Sequence, residues 1–190
     1  MTWQREFVET FYEVVRKENA AFAELARGMD KDVSYPGSVV DVKEREWQYL
    51  LFRELLARNG FGKWIIQLEQ AYSEKPHAQS RKQRADFTLA KMRSGGPYWS
   101  SQITIEMKRG FGDVERDYHR LMKNCDPGHR GLLVYRLRSS PVNLEREAEE
   151  LSLFRRTKPN IDTLGDRMIS VTHFNGSQSE CHFGAVLLSW

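Results

Sequence analysis

A chain of 190 residues with 40% hydrophobic composition and five tryptophans is long enough for one well-packed domain and too short for two ordinary ones. Its 29 basic and 26 acidic residues leave a net charge of +3, too mild for a whole-protein signature of nucleic-acid binding, so any such argument rests on local clusters. The two cysteines, Cys125 and Cys181, show no Cys-x-x-Cys or Cys/His spacing, which argues against structural zinc and fits a reducing compartment.

No apolar run approaches the roughly 18 residues that span a bilayer, and the opening MTWQREFVETF alternates charge with apolar residues, unlike a signal peptide. The expectation is a cytoplasmic protein with no membrane segment. In the first 28 residues, apolar side chains at 3, 7, 8, 11, 14, 15, 22 and 25 keep the i, i+3, i+4 spacing of an amphipathic helix, and Gly28 is its stop. A linker follows, with a turn at Pro36-Gly37. Asp41 and Glu44 have the spacing of a capping box and open a second helix that runs to Gly60.

The periodicity then changes to two. KWIIQLEQAY (63–72), RADFTLAKM (84–92) and SSQITIEMKRG (101–110) read as three antiparallel strands joined by the polar loop SEKPHAQSRKQ and the turn RSGGPYW. GDVERDYHRLMKNC returns to helical spacing through Val114, Tyr118, Leu121 and Met122. GLLVYRL (131–137) has the composition of a buried strand. A helix over 142–156 and two strands, RMISVTHF and HFGAVLLSW, joined by a hairpin at Asn175-Gly176, complete the order.

Side chains alternate across a strand, so Ile103, Ile105 and Met107 share one face of their strand while Glu106 and Lys108 share the other. In the preceding strand Asp86 and Thr88 lie opposite Ala85, Phe87 and Leu89. If the two strands are neighbours, Asp86, Glu106 and Lys108 meet on one face. Adjacent carboxylates repel unless a cation neutralises them, and two carboxylates with waters and a substrate phosphate are a usual Mg²⁺ environment. A lysine beside them supplies a donor that orients an attacking water and offsets charge at phosphorus. The competing reading is a ladder of ion pairs on a solvent-facing sheet.

An Asp on one strand, Glu-x-Lys on the next, a Glu-bearing helix before them and a helix and strand after them together resemble the PD-(D/E)XK nuclease superfamily. The matching residues are Asp86 in RADFTLA, Glu106 and Lys108 in IEMK, and Glu46 in KEREWQYLLFRELLARNGFG. That last stretch also looks like the opening helix of archaeal Holliday junction resolvases. The resemblance covers about residues 42–138, with a helical extension at 1–40 and additions at 139–190, and Ala85 stands where many members have proline.

What the resemblance implies is an α/β fold with a restriction-endonuclease-like αβββαβ core and a mixed sheet. It also implies Mg²⁺- or Mn²⁺-dependent hydrolysis of phosphodiester bonds in DNA. Asp86 and Glu106 would hold the metal, Lys108 would orient the water, and Glu46 would bind a second metal or support the first. Glu44 and Glu54 are alternatives for the helix carboxylate, and Glu54 falls within the apolar stripe of Trp47, Leu50, Leu51 and Leu55.

Arg81, Lys82, Arg84, Arg109, Arg116 and Arg120 flank these residues in sequence, as phosphate contacts would. A homodimer is expected because two copies related by a two-fold axis most simply cut both strands. The alternative function is a non-catalytic nucleic-acid-binding or assembly module that keeps the nuclease fold.

Overall fold

The computed structural model describes residues 3–28, 37–58, 64–71, 84–92, 99–108, 114–124, 131–137, 149, 152–153, 156–157 and 161–188. The chain is a mixed α/β protein. Its elements in order are α1 (Trp3–Gly28), a 3-10 turn (Val39–Asp41), α2 (Glu44–Ala57), β1 (Ile65–Ala71), β2 (Arg84–Met92), β3 (Trp99–Lys108), α3 (Val114–Asn124), β4 (Gly131–Leu137), β5 (Ile161–Thr172) and β6 (Gln178–Leu188). The segment expected as a helix at 142–156 lies largely outside the described residues.

Among the described residues the strands form a six-stranded sheet in the order β1-β2-β3-β4-β6-β5. β1, β2 and β3 pair antiparallel, as the alternating patterns predict. The chain then leaves the sheet through α3 and returns as β4, which pairs parallel to β3 from Thr104–Gly131 to Lys108–Tyr135. A parallel neighbour needs such a crossover, and α3 supplies it. β6 joins the free edge of β4, and β5 pairs with β6.

The β5–β6 hairpin turns at Gly176, whose φ of 80° favours a residue without a Cβ. Beside it Asn175 Oδ1 accepts the Ser177 N–H at 3.0 Å. Both strands are longer than expected. β5 reaches back to Ile161 through a register shift between Thr163 and Gly165, and that irregularity breaks the alternation that would have revealed it.

α1 and α2 cover one face of the sheet. Phe7, Val8, Phe11, Tyr12, Val14 and Val15 of α1 and Trp47, Leu51 and Leu55 of α2 form one cluster with Phe87, Leu89, Ile103, Ile105, Met107, Val171, Cys181 and Phe183. Phe7 meets Phe87 edge-on at 6.1 Å, and Phe11 meets Phe183 and Trp47 at 6.0 and 6.3 Å. The buried stripe is wider than the apolar spacing alone indicates. Tyr12 is fully buried because its hydroxyl donates to the Phe183 carbonyl and its ring lies under Arg167. Leu25, by contrast, is exposed near the end of α1. Full burial of one such aromatic or aliphatic side chain contributes about 1.5–3 kcal/mol, so the N-terminal helix is part of the core that holds the sheet.

The start of α2 differs from the expected capping box. Asp41 closes the preceding 3-10 turn by accepting the Ser38 N–H, and the helix begins two residues later with Lys43 at its cap. There Glu46 accepts the Lys43 backbone N–H at 2.9 Å. The helix ends at Ala57, ahead of Gly60, which lies outside the described residues. The Gly37 carbonyl accepts the Phe174 N–H, and Ser38 bridges His173, tying the end of the linker to the hairpin.

Candidate active site

On the face opposite the aromatic cluster, Thr88, Thr104 and Glu106 are also buried. α3 lies over this side, with Tyr118 and Leu121 turned inward. Met122, expected in the same stripe, is exposed, because one further step of 100° carries it past the contact.

The pairing of β2 and β3 runs to Phe87–Ile105. Carried one residue further, that register sets Asp86 across from Glu106. Residues opposed in this way hold their Cβ atoms about 4.5–5.5 Å apart. Asp86 Oδ2 accepts the Met107 backbone N–H at 2.6 Å, so the carboxylate fastens β2 to β3 one residue from Glu106. A charge-assisted bond of this kind is short and strong.

Glu106 is completely buried, and its Oε2 lies 2.6 Å from Nη2 of Arg120 on α3. The same guanidinium reaches Oδ1 of Asp117 at 3.2 Å. Asp117 is fully buried as well. A buried carboxylate costs several kcal/mol without a partner, and Arg120 offsets that cost for both acids at once. Arg120, expected among the phosphate contacts, is therefore directed at the carboxylates beneath α3.

Asp117 was not anticipated. Its signal in the sequence is helical phase: Asp117, Tyr118, Arg120 and Leu121 occupy i, i+1, i+3 and i+4 of one face, so two charges sit inside an apolar stripe.

Lys108 ends β3 and pairs through its backbone with Tyr135, while its side chain lies outside the described residues. Glu46 is exposed at the first turn of α2 and caps that helix, on the element that packs against the opposite face. Glu54, the alternative within the stripe, accepts a hydrogen bond from Lys17 Nζ of α1 at 2.7 Å, and that bond holds its carboxyl below the ordinary value. Its role is to bridge the two helices.

Arg116 is exposed on α3, and His119 points outward beside Glu115 at 3.8 Å. Arg81, Lys82 and Arg109 lie outside the described residues, as does the side chain of Arg84. Trp99, read as part of a turn, opens β3.

A scan of protein-family models and searches of curated proteins and solved structures find no match to this chain. Among the described residues no group of three or more His, Cys, Asp or Glu side chains is gathered for a metal ion. Asp86 and Glu106 remain as a pair of hard oxygen donors on adjacent strands, a set that suits Mg²⁺ when waters and a substrate phosphate complete the shell. Among the described residues no helix is long and apolar enough to cross a membrane.

Proposed function

We propose that this chain is a metal-dependent endonuclease acting on DNA, with the restriction-endonuclease-like core of the PD-(D/E)XK superfamily. The observation that carries the reading is Asp86 fastened to the Met107 N–H, one residue from Glu106 on the neighbouring strand. The order helix, three antiparallel strands, helix, parallel strand supports it.

In this reading Asp86 and Glu106 hold Mg²⁺ or Mn²⁺. Such an ion supplies Lewis-acid charge at the scissile phosphate. Lys108 orients the attacking water and offsets charge developing on phosphorus. Arg81, Lys82, Arg84, Arg109 and Arg116 neutralise the nucleic-acid backbone. Glu46 is left to its helix cap, and a pair of copies would cut both strands of a duplex.

The test is incubation of the protein with supercoiled, linear, branched and single-stranded DNA in Mg²⁺, Mn²⁺ or EDTA. Cleavage should need the metal. Asp86→Ala should lower it at least about a hundredfold and remove the metal-induced rise in melting temperature, since a ligand is lost. Lys108→Ala should stop cleavage to a similar degree and keep the metal shift, because an ammonium is no ligand. Full activity in either variant would overturn these roles.

One observation favours a second reading. The buried Arg120 contact to Glu106 and Asp117 is also what a structural ion pair looks like in a non-catalytic module that retains the fold. Such a protein would bind DNA equally well with EDTA and cut none of it.

A further inference from the structure

Glu106 and Asp117 are both fully buried, and one guanidinium serves both. Arg120 itself keeps a quarter of its side-chain surface exposed, so it has a path toward solvent that the two carboxylates lack. Its planar guanidinium spreads one positive charge over several N–H donors, which suits it to face two carboxylates.

A guanidinium 2.6 Å from Glu106 Oε2 and a divalent cation on that carboxylate compete for the same negative charge. The two cations also repel each other at that range. We infer that Arg120 is a displaceable cation: it neutralises Glu106 while no metal is bound and yields to a divalent ion, remaining tethered by Asp117. The inference rests on the proposed metal role of Glu106 and adds the residue that sets the affinity of that site. Arg120 is thus a positioning residue. Asp117, one helical turn before Arg120 and already 3.2 Å from its guanidinium, keeps the displaced charge beside the site.

The experiment is calorimetric titration of Mn²⁺ into the wild type, Arg120→Gln, Arg120→Lys and Glu106→Gln, in the absence of DNA. A neighbouring charge shifts the proton affinity of a carboxylate by about one to three decades, and Arg120→Gln should bind Mn²⁺ tighter by about tenfold or more on the same ground. Arg120→Lys, which keeps a cation, should stay nearer the wild type. Glu106→Gln should bind more weakly than either. If the wild type binds Mn²⁺ and Arg120→Gln binds it no tighter, the displacement is wrong and the metal reading stands. If neither binds Mn²⁺, both fall.

Arg120→Gln leaves two buried acids without their shared cation and can fail to fold, so a measurement on the wild type stands beside it. In nitrogen-15 NMR of the arginine side chains, with the Arg120 Nε–H signal assigned from Arg120→Lys, added Mg²⁺ should move that signal and speed its exchange with water. A signal unchanged at saturating Mg²⁺ would overturn the displacement.

Discussion

On one face of the central sheet Phe87, Leu89, Ile103, Ile105 and Met107 meet the aromatic stripe of α1 and Trp47 of α2. On the other face Thr88, Thr104 and Glu106 are just as deeply buried, and α3 reaches Glu106 through Arg120. Equal burial hides unequal physics. The apolar face gains from removing surface from water, a non-directional effect that accepts any side chain of suitable volume. The polar face gains only where each group meets its complement, and for Glu106 a guanidinium from another element is one such partner. The first face can be repacked; the second can only be matched.

The largest expected effect that would break this contrast is on the apolar side. Phe87→Ala should cost about 3–5 kcal/mol, as removal of a buried aromatic ring does, while Phe87→Leu should cost well under half of that. Urea denaturation reads both, and a small loss for the alanine variant would remove Phe87 from the core. On the polar side, Arg120→Gln in the metal-free protein should cost about 2–3 kcal/mol, because Glu106 and Asp117 then stay buried with the Arg120 charge gone. A double-mutant cycle with Glu106→Gln should show a coupling of about 1–3 kcal/mol. Additivity of the two substitutions would mean that the contact does not hold the face together.

The smallest effect sharpens the contrast by taking an ion pair out of the interior. Lys17 and Glu54 join α1 to α2 at 2.7 Å, with the lysine side chain 60% exposed. Hydrogen bonding from Lys17 lowers the folded-state pKa of Glu54, so its contribution is present above the ordinary carboxylate value and fades as pH falls through the lowered one. Water screens this pair, so Glu54→Ala should cost less than about 1 kcal/mol at neutral pH and nothing once the pH lies below the lowered pKa. A pH series of denaturation midpoints for the wild type and Glu54→Ala checks it, and a gap that widens in acid would reverse the sign.

Much of the architecture was legible in the residues. Strict alternation in RADFTLA and ITIEMK placed Phe87 and Ile105 on one face and Asp86 and Glu106 on the other, since the period of a strand leaves no other choice. The helical spacing of GDVERDYHRLMKNC marked α3, and the parallel pairing of β4 with β3 makes the sheet mixed, as the resemblance implied. Cap geometry was less legible. Three acidic residues crowd the start of α2, and spacing alone does not say whether Asp41, Glu44 or Glu46 meets a backbone N–H. The same limit applied to Glu54, whose place within an apolar stripe marked it as unusual without revealing that Lys17 of another helix waits there.

By itself, then, the sequence determined which side chains share a face, because that follows from periods of 2.0 and 3.6 residues along a single element. Only the tertiary structure decided what covers each face. α3 folds over the charged side of β3 and brings Arg120 to Glu106, 14 positions away in the chain, within 2.6 Å. The pattern marks a charge as out of place; the pairing that makes its burial tolerable depends on how separate elements pack, and local spacing carries no record of that.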